Sequence, residues 1–134
     1  MILLRRALRL LLVLFAGSLW AVAAWIAAII FAAEPNRHIA GIIASRLFMV
    51  QTGLGVGIAL LALSLPDRRR YRLLYAAAAL LAVNELLLKP IMETARLQGS
   101  ALGLGFGPWH GVSAVLYLVA CASMLVLVWK DDLR

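Results

Sequence analysis

Four long apolar runs, separated by short breaks rich in proline or charge, constrain this chain more than any other feature of it. They cover about Leu10–Ala33, Gly41–Leu65, Leu73–Met92 and Trp109–Trp129. Crossing the roughly 30 Å of hydrocarbon in a bilayer takes about 20 apolar residues at about 1.5 Å rise each, and each run has that length. Lipid offers no partner to an open peptide group, so a spanning run of this length must be helical. With 65% hydrophobic and 14% charged residues, a soluble domain would be covered in apolar surface, whereas a bilayer accepts such a chain as its solvent. Four crossings nearly exhaust the 134 residues. The expectation is therefore a single transmembrane domain over 1–134: an all-α membrane protein, a four-transmembrane-helix up-down-up-down bundle.

The breaks carry the topology. The first run is closed by Glu34-Pro35-Asn36-Arg37-His38, where the proline cannot continue a helix. Pro66 ends the second, ahead of the basic loop Asp67-Arg68-Arg69-Arg70-Tyr71-Arg72. Pro90, near the end of the third, is expected to bend or terminate that helix. The connection Glu93 to Pro108, with Gly99, Gly103, Gly105 and Gly107, reads as a flexible loop. Arg5, Arg6, Arg9, the four arginines of the middle loop, Lys130 and Arg134 all fall on one side, against Arg37, Arg46, Lys89 and Arg96 elsewhere. By the positive-inside rule both ends face the cytoplasm. Tyr71, Tyr75 and Trp129 then lie at the inner interface and Trp109 at the outer one, where amphipathic rings sit. Arg5, Arg6 and Arg9 before an apolar stretch, with Ala21-Val22-Ala23, mimic a signal peptide. Cleavage is not expected, because the run continues unbroken to Ala33.

The net charge of +7 does not imply nucleic acid, since the basic residues flank apolar runs as topology determinants and lack aromatic interleaving. The one cysteine, Cys121, excludes an intrachain disulfide and a cysteine metal cluster. Lipid tails give helices no hydrophobic reason to associate, so small residues are expected at the helix contacts. Gly17, Ala21, Ala24 and Ala28 form one such stripe, and Gly53 with Gly57 another.

Polar groups in hydrocarbon mark function or an internal pair. Arg46 shares a helical face with Gly53 and Gly57 and is expected to point inward. On the third span Asn84 adjoins Glu85, and Lys89 follows Glu85 at i+4. The fourth opens with His110, and Ser113, Tyr117 and Cys121 continue its face. All fall in the outer half of the bundle, so the expectation is one polar cluster in which Glu85 accepts from a network completed by Arg46 and His110. Two readings are open: the cluster fixes helix register, with Lys89 snorkelling outward, or it is a small-molecule or ion site beneath the glycine-rich loop. Haem ligation by His110 is the weaker alternative, because His38 reads as a loop residue and axial pairs usually both lie on helices. No metal site, phosphate-cradling loop or catalytic constellation is expected.

Ile39-Ala40-Gly41-Ile42-Ile43-Ala44-Ser45-Arg46-Leu47-Phe48, Pro35 at the end of the first span, Lys89-Pro90-Ile91-Met92, and Trp109-His110-Gly111-Val112-Ser113 with Leu116-Tyr117 resemble a bacterial four-helix membrane family of unknown function related to the eukaryotic transmembrane protein 205 type. The resemblance covers roughly the whole chain, implies a bacterial inner membrane location, and singles out Pro35, Gly41, Arg46, Phe48, Pro90, His110 and Ser113 without supplying a reaction. The polar stretch Glu34 to His38 departs from the apolar exit of that family's first helix. The functional expectation is a non-enzymatic membrane protein whose outer cluster binds or helps export a solute. The alternatives are an accessory subunit of a larger membrane complex and, third, a membrane enzyme resting on His110 alone. The implied partners are the lipid bilayer and either a homo-oligomer or a larger complex.

Overall fold

In the computed structural model, which describes residues 2–132, the chain forms four long helices. Helix α1 runs Ile2–Ala33, α2 Arg37–Leu63, α3 Arg68–Gln98 and α4 Phe106–Asp132. Each is long and apolar enough to cross a bilayer, so the chain is a multi-pass membrane protein. Arg134, counted above among the basic residues, lies outside the described residues.

Each helix packs on its neighbours in sequence, and α1 also packs on α4, which closes the ring. Arg5 Nη2 meets Asp67 Oδ2 at 2.7 Å, bringing the start of α1 to the α2–α3 loop at the inner end. At the opposite end Arg96 of α3 reaches His38 of α2. The helices therefore run up-down-up-down.

The helices extend beyond the apolar runs because caps and not hydropathy set their ends. Pro35 holds Glu34 in extended conformation (φ −96°, ψ 111°), which stops α1. Asn36 then caps α2 with Oδ1, accepting from the amides of His38 (3.0 Å) and Ile39 (3.3 Å). So α2 starts at Arg37, four residues before the expected Gly41. At the inner end, Ser64 caps α2 and a 3-10 turn over Arg68–Tyr71 opens α3.

Two π-helical turns interrupt the α ladder, Val22–Ile26 in α1 and Asn84–Leu88 in α3. The second explains why Pro90 does not end its helix. A proline lacks the N–H for the i−4 carbonyl and clashes with it. Here the preceding turn is already wound to i−5, with the Lys89 amide on the Asn84 carbonyl, which gives the ring room, and α3 continues to Gln98. The glycine-rich connection is not a slack loop either. Gly99 ends α3 at φ +84°. Ala101 and Leu104 then exchange backbone hydrogen bonds of 2.8 and 3.1 Å across Leu102 (φ +50°) and Gly103 (φ +80°). Trp109 Nε1 donates to the Ala101 carbonyl at 2.9 Å, tying the turn to α4.

The core lies toward the inner half: Leu8, Leu12, Phe15 and Leu19 of α1 meet Ile58 and Ala62 of α2, Leu74 and Leu81 of α3, and Cys121 and Met124 of α4. Beyond its π turn α1 buries nothing over Ala27–Ala33. The bundle is thus tight inside and looser outside.

The packing stripes differ from expectation. Gly17, Ala24, Gly53 and Gly57 are exposed, Ala21 is half-buried, and nothing lies within 4 Å of a methyl placed on Gly17, Gly53 or Gly57. The glycine at a helix contact is Gly55, where an added Cβ would sit 2.9 Å from Phe15 Cζ and 3.4 Å from Leu81 Cδ1. Leu8, Leu12, Phe15 and Leu19, with Ala16, fill the inner face of α1, while Gly17 and Ala24 look outward. Small residues do sit at the helix contacts, but they are alanines such as Ala16, Ala59, Ala62, Ala77, Ala78 and Ala120 and not the expected stripes.

Candidate functional site

Hydrogen bonds between helices concentrate near the middle of the bundle, with at least one at each seam of the ring. Between α1 and α2, Ser18 Oγ lies 3.1 Å from Gln51 Oε1, sharing its proton with the Phe15 carbonyl at 2.8 Å. Gln51 is buried. Between α2 and α3, Thr52 Oγ1 bonds its own Phe48 carbonyl at 3.0 Å and makes a weaker 3.5 Å approach to the Leu81 carbonyl. Between α3 and α4, Ser113 Oγ donates to Asn84 Oδ1 at 2.6 Å, and Asn84 Nδ2 donates to the Ser113 carbonyl at 3.1 Å. Between α4 and α1, the Tyr117 hydroxyl donates to the Leu19 carbonyl at 2.9 Å, just ahead of the π turn, while its ring meets Phe48 edge-on with centroids 5.0 Å apart. Among the described residues no fully buried side-chain nitrogen or oxygen is left without a partner.

The expected single cluster is thereby divided. Asn84 and Ser113 do meet, and Tyr117 is buried, but it serves α1 and not the cluster. Glu85, with its side chain 16% exposed, pairs with Lys89, 41% exposed, along the same helix. No hydrogen bond or ion pair joins Glu85 to Arg46 or His110 among the described residues. Arg46 is exposed. It does share a face with Gly53 and Gly57, as the spacing implies, but that face points away from the bundle, opposite Ala44, Gln51, Gly55 and Ala62. His110 is also exposed and stacks on Phe106, with centroids 5.6 Å apart. The physical reason is that a lone polar group does not set the rotation of a helix, which follows the packing of the neighbouring apolar side chains.

Sequence reasoning missed Ser18, Gln51 and Thr52. Gln51 shares its buried face with Ala44 and Gly55, at spacings of seven and four, but Arg46 stands with Gly53 and Gly57 at equivalent helical spacing, so the sequence carried no signal that favoured the amide. At the outer surface, Arg96 bridges Glu93 Oε1 (2.6 Å) and His38 Nδ1 (3.2 Å). A guanidinium only donates, so in this contact Nδ1 is the accepting atom. Among the described residues no group of three His, Cys, Asp or Glu gathers as a metal would need. Two shallow concavities open at the bundle ends, one along the arginines of the inner loop and one beside Pro90, Thr94, Gln98 and Leu102.

Chemically, the arrangement locks four helices together and leaves two groups outside that lock: the half-exposed Glu85–Lys89 pair and the outward guanidinium of Arg46. No match was found among curated proteins or among solved structures. A family model does match, over residues 10–101, which takes in most of α1, all of α2 and α3, and the start of the turn beyond. On that match, which spans more than half of the chain, the protein belongs to the family described as Domain of unknown function (DUF4149).

Proposed function

We propose that this protein is a non-enzymatic accessory subunit of a bacterial cytoplasmic membrane complex, a stiff four-helix block that docks beside another membrane protein. One observation carries this reading. Among the described residues no fully buried side-chain nitrogen or oxygen lacks a hydrogen-bond partner, while the Arg46 side chain, within the second apolar run, is exposed. An interior poised for a solute would hold polar groups in reserve. An exterior poised for a partner would hold them on its surface, where a charge in hydrocarbon is costly until it is met. The resemblance to the transmembrane protein 205 type rests on the short motifs around Arg46, Pro90 and His110, and adds kinship to this reading without adding a reaction.

A second reading, solute binding or export, is favoured by the Glu85–Lys89 pair. It lies toward the outer end and is partly open to its surroundings. The two separate on extraction of the tagged chain from its own membrane. Native-detergent sizing with mass measurement is expected to show a stoichiometric heteromer. A lone chain or a homo-oligomer whose melting temperature rises with an added solute would overturn the subunit reading and favour the second.

A further inference from the structure

The positive-inside rule accounts for the number of arginines between α2 and α3 but not for the way their loop is held. A topology signal needs only positive charge on one side, and a slack loop would serve. Here the Asp67 carboxylate accepts from Arg5 Nη2 at 2.7 Å, and the Asp67 carbonyl accepts from the Arg70 amide at 2.9 Å. The Tyr75 hydroxyl donates to the Arg68 carbonyl at 3.0 Å, and the Tyr71 side chain is buried. These ties fix the backbone while Arg68, Arg69, Arg70 and Arg72 stay exposed. With Pro66 and Asp67 the four arginines line an open concavity of about 680 Å³, roomy enough for a headgroup. Arg69 and Arg72 stand three apart over the 3-10 turn, where side chains at i and i+3 eclipse, so they share one side of it. Among the described residues neither makes an ion pair or hydrogen bond.

The one carboxylate in this recess is matched by an arginine from α1, so the recess itself keeps an excess of positive charge held at close quarters. An anion that bridges the guanidinium groups relieves it, and phosphate oxygens fit their planar forks two bonds at a time. Place then selects the source of the phosphate. The second apolar run ends at Leu65 and the third starts at Leu73, so the recess opens where two spans leave the bilayer, among the lipid headgroups. A zwitterionic headgroup answers its phosphate with its own ammonium, whereas an anionic one has charge to spare for a basic pocket between helices. Nucleic acid would want aromatic platforms beside the cations, and no aromatic side chain lines this concavity. We infer that the α2–α3 loop is a built site for the phosphate of an anionic phospholipid headgroup, with Arg69 and Arg72 as its principal contacts and the Arg5–Asp67 pair as the strut that holds it in shape. The site is independent of the subunit role and adds a ligand to it.

The test uses the full chain, purified in mild detergent and stripped of lipid. It is titrated with short-chain phosphatidylglycerol, with phosphatidylcholine of the same chain length and with inorganic phosphate, and bound lipid is read by native mass spectrometry alongside the melting temperature. Phosphatidylglycerol is expected to bind at least about tenfold more tightly than phosphatidylcholine and to raise the melting temperature, and inorganic phosphate at the same concentrations to do neither. Arg69→Gln with Arg72→Gln is expected to erase the preference. Arg6→Gln with Lys130→Gln removes as much charge from the same end of the bundle, outside the recess, and is expected to keep it. Arg69→Lys with Arg72→Lys preserves the charge that sets orientation and is expected to weaken binding at least about threefold, because an ammonium lacks the fork. Where the glutamine pair fails to fold, the lysine pair decides alone. Equal affinity for the two lipids, equal losses in the two glutamine pairs, or undiminished affinity in the lysine pair overturns the site. Inorganic phosphate that binds as tightly as phosphatidylglycerol overturns the lipid as its occupant.

Discussion

Asn84 and Ser113 hold each other twice, the serine hydroxyl donating to the amide oxygen at 2.6 Å and the amide nitrogen donating to the serine carbonyl at 3.1 Å. The first of these bonds depends on the Ser113 side chain alone, and the π turn of α3 begins at Asn84. Polar clamps between membrane helices contribute about 0.6 kcal/mol on average and up to about 1.7. Ser113→Ala should therefore destabilise the bundle by about 0.6–1.7 kcal/mol in a denaturing-detergent titration. Asn84→Ala, which removes both bonds, should cost more, and the double variant should cost less than the sum.

Gly55 and Gly53 lie on one helix and should answer the same change differently. An added methyl at Gly55 meets the buried Phe15 ring at 2.9 Å, so Gly55→Ala is expected to destabilise by about 1–3 kcal/mol through overpacking. At Gly53 the space is open, and Gly53→Ala should stay within about 0.5 kcal/mol. Equal effects in the same titration would refute the assignment of Gly55 as the contact glycine.

Glu85 and Lys89 form an ion pair along one turn of α3. Lys89→Met removes the cation from a carboxylate whose side chain is only 16% exposed, and a loss of about 1–3 kcal/mol is expected. The double variant Glu85→Gln with Lys89→Met leaves no charge behind and should recover most of that loss. A double variant no more stable than Lys89→Met would contradict the pairing.

The α3–α4 connection contains one residue suited to its conformation and one that is not. Gly99 at φ +84° should lose about 1–2 kcal/mol on change to Ala, the cost of left-handed backbone for a residue with a Cβ. Leu102 at φ +50° is 81% exposed. Leu102→Asn, which tolerates that region, should leave stability unchanged or raise it by up to about 1 kcal/mol. Thermal melts should show a lowered midpoint for Gly99→Ala and no lowering for Leu102→Asn.

Cysteine labelling tests the orientation. Arg69→Cys should react only with reagent presented from the cytoplasmic side, and Leu102→Cys only from the other. Native Cys121, fully buried, should stay silent and serve as the internal control. Labelling of both engineered sites from one side would contradict the antiparallel arrangement.

The sequence alone determined that there are four runs long and apolar enough to cross and which end of the bundle gathers the basic residues, though not where each helix starts and stops. Those properties are sums over many residues: twenty apolar side chains in a row, or four arginines in one loop, leave hydrocarbon thickness and charge transfer no other answer. Even the juxtaposition of Arg46 with Gly53 and Gly57 on one face was legible, because helical spacing fixes it. Tertiary structure alone decided the rotation of each helix. Nothing in the spacing of α2 says whether Gln51 or Arg46 faces the core, since both are polar in an apolar run. The choice fell to how Phe15, Gly55 and Leu81 fit together at the α1–α2–α3 contact, a matter of shape between distant segments. That rotation sent the amide inward to Ser18 and the guanidinium outward, and so moved the candidate site from the middle of the bundle to its surface.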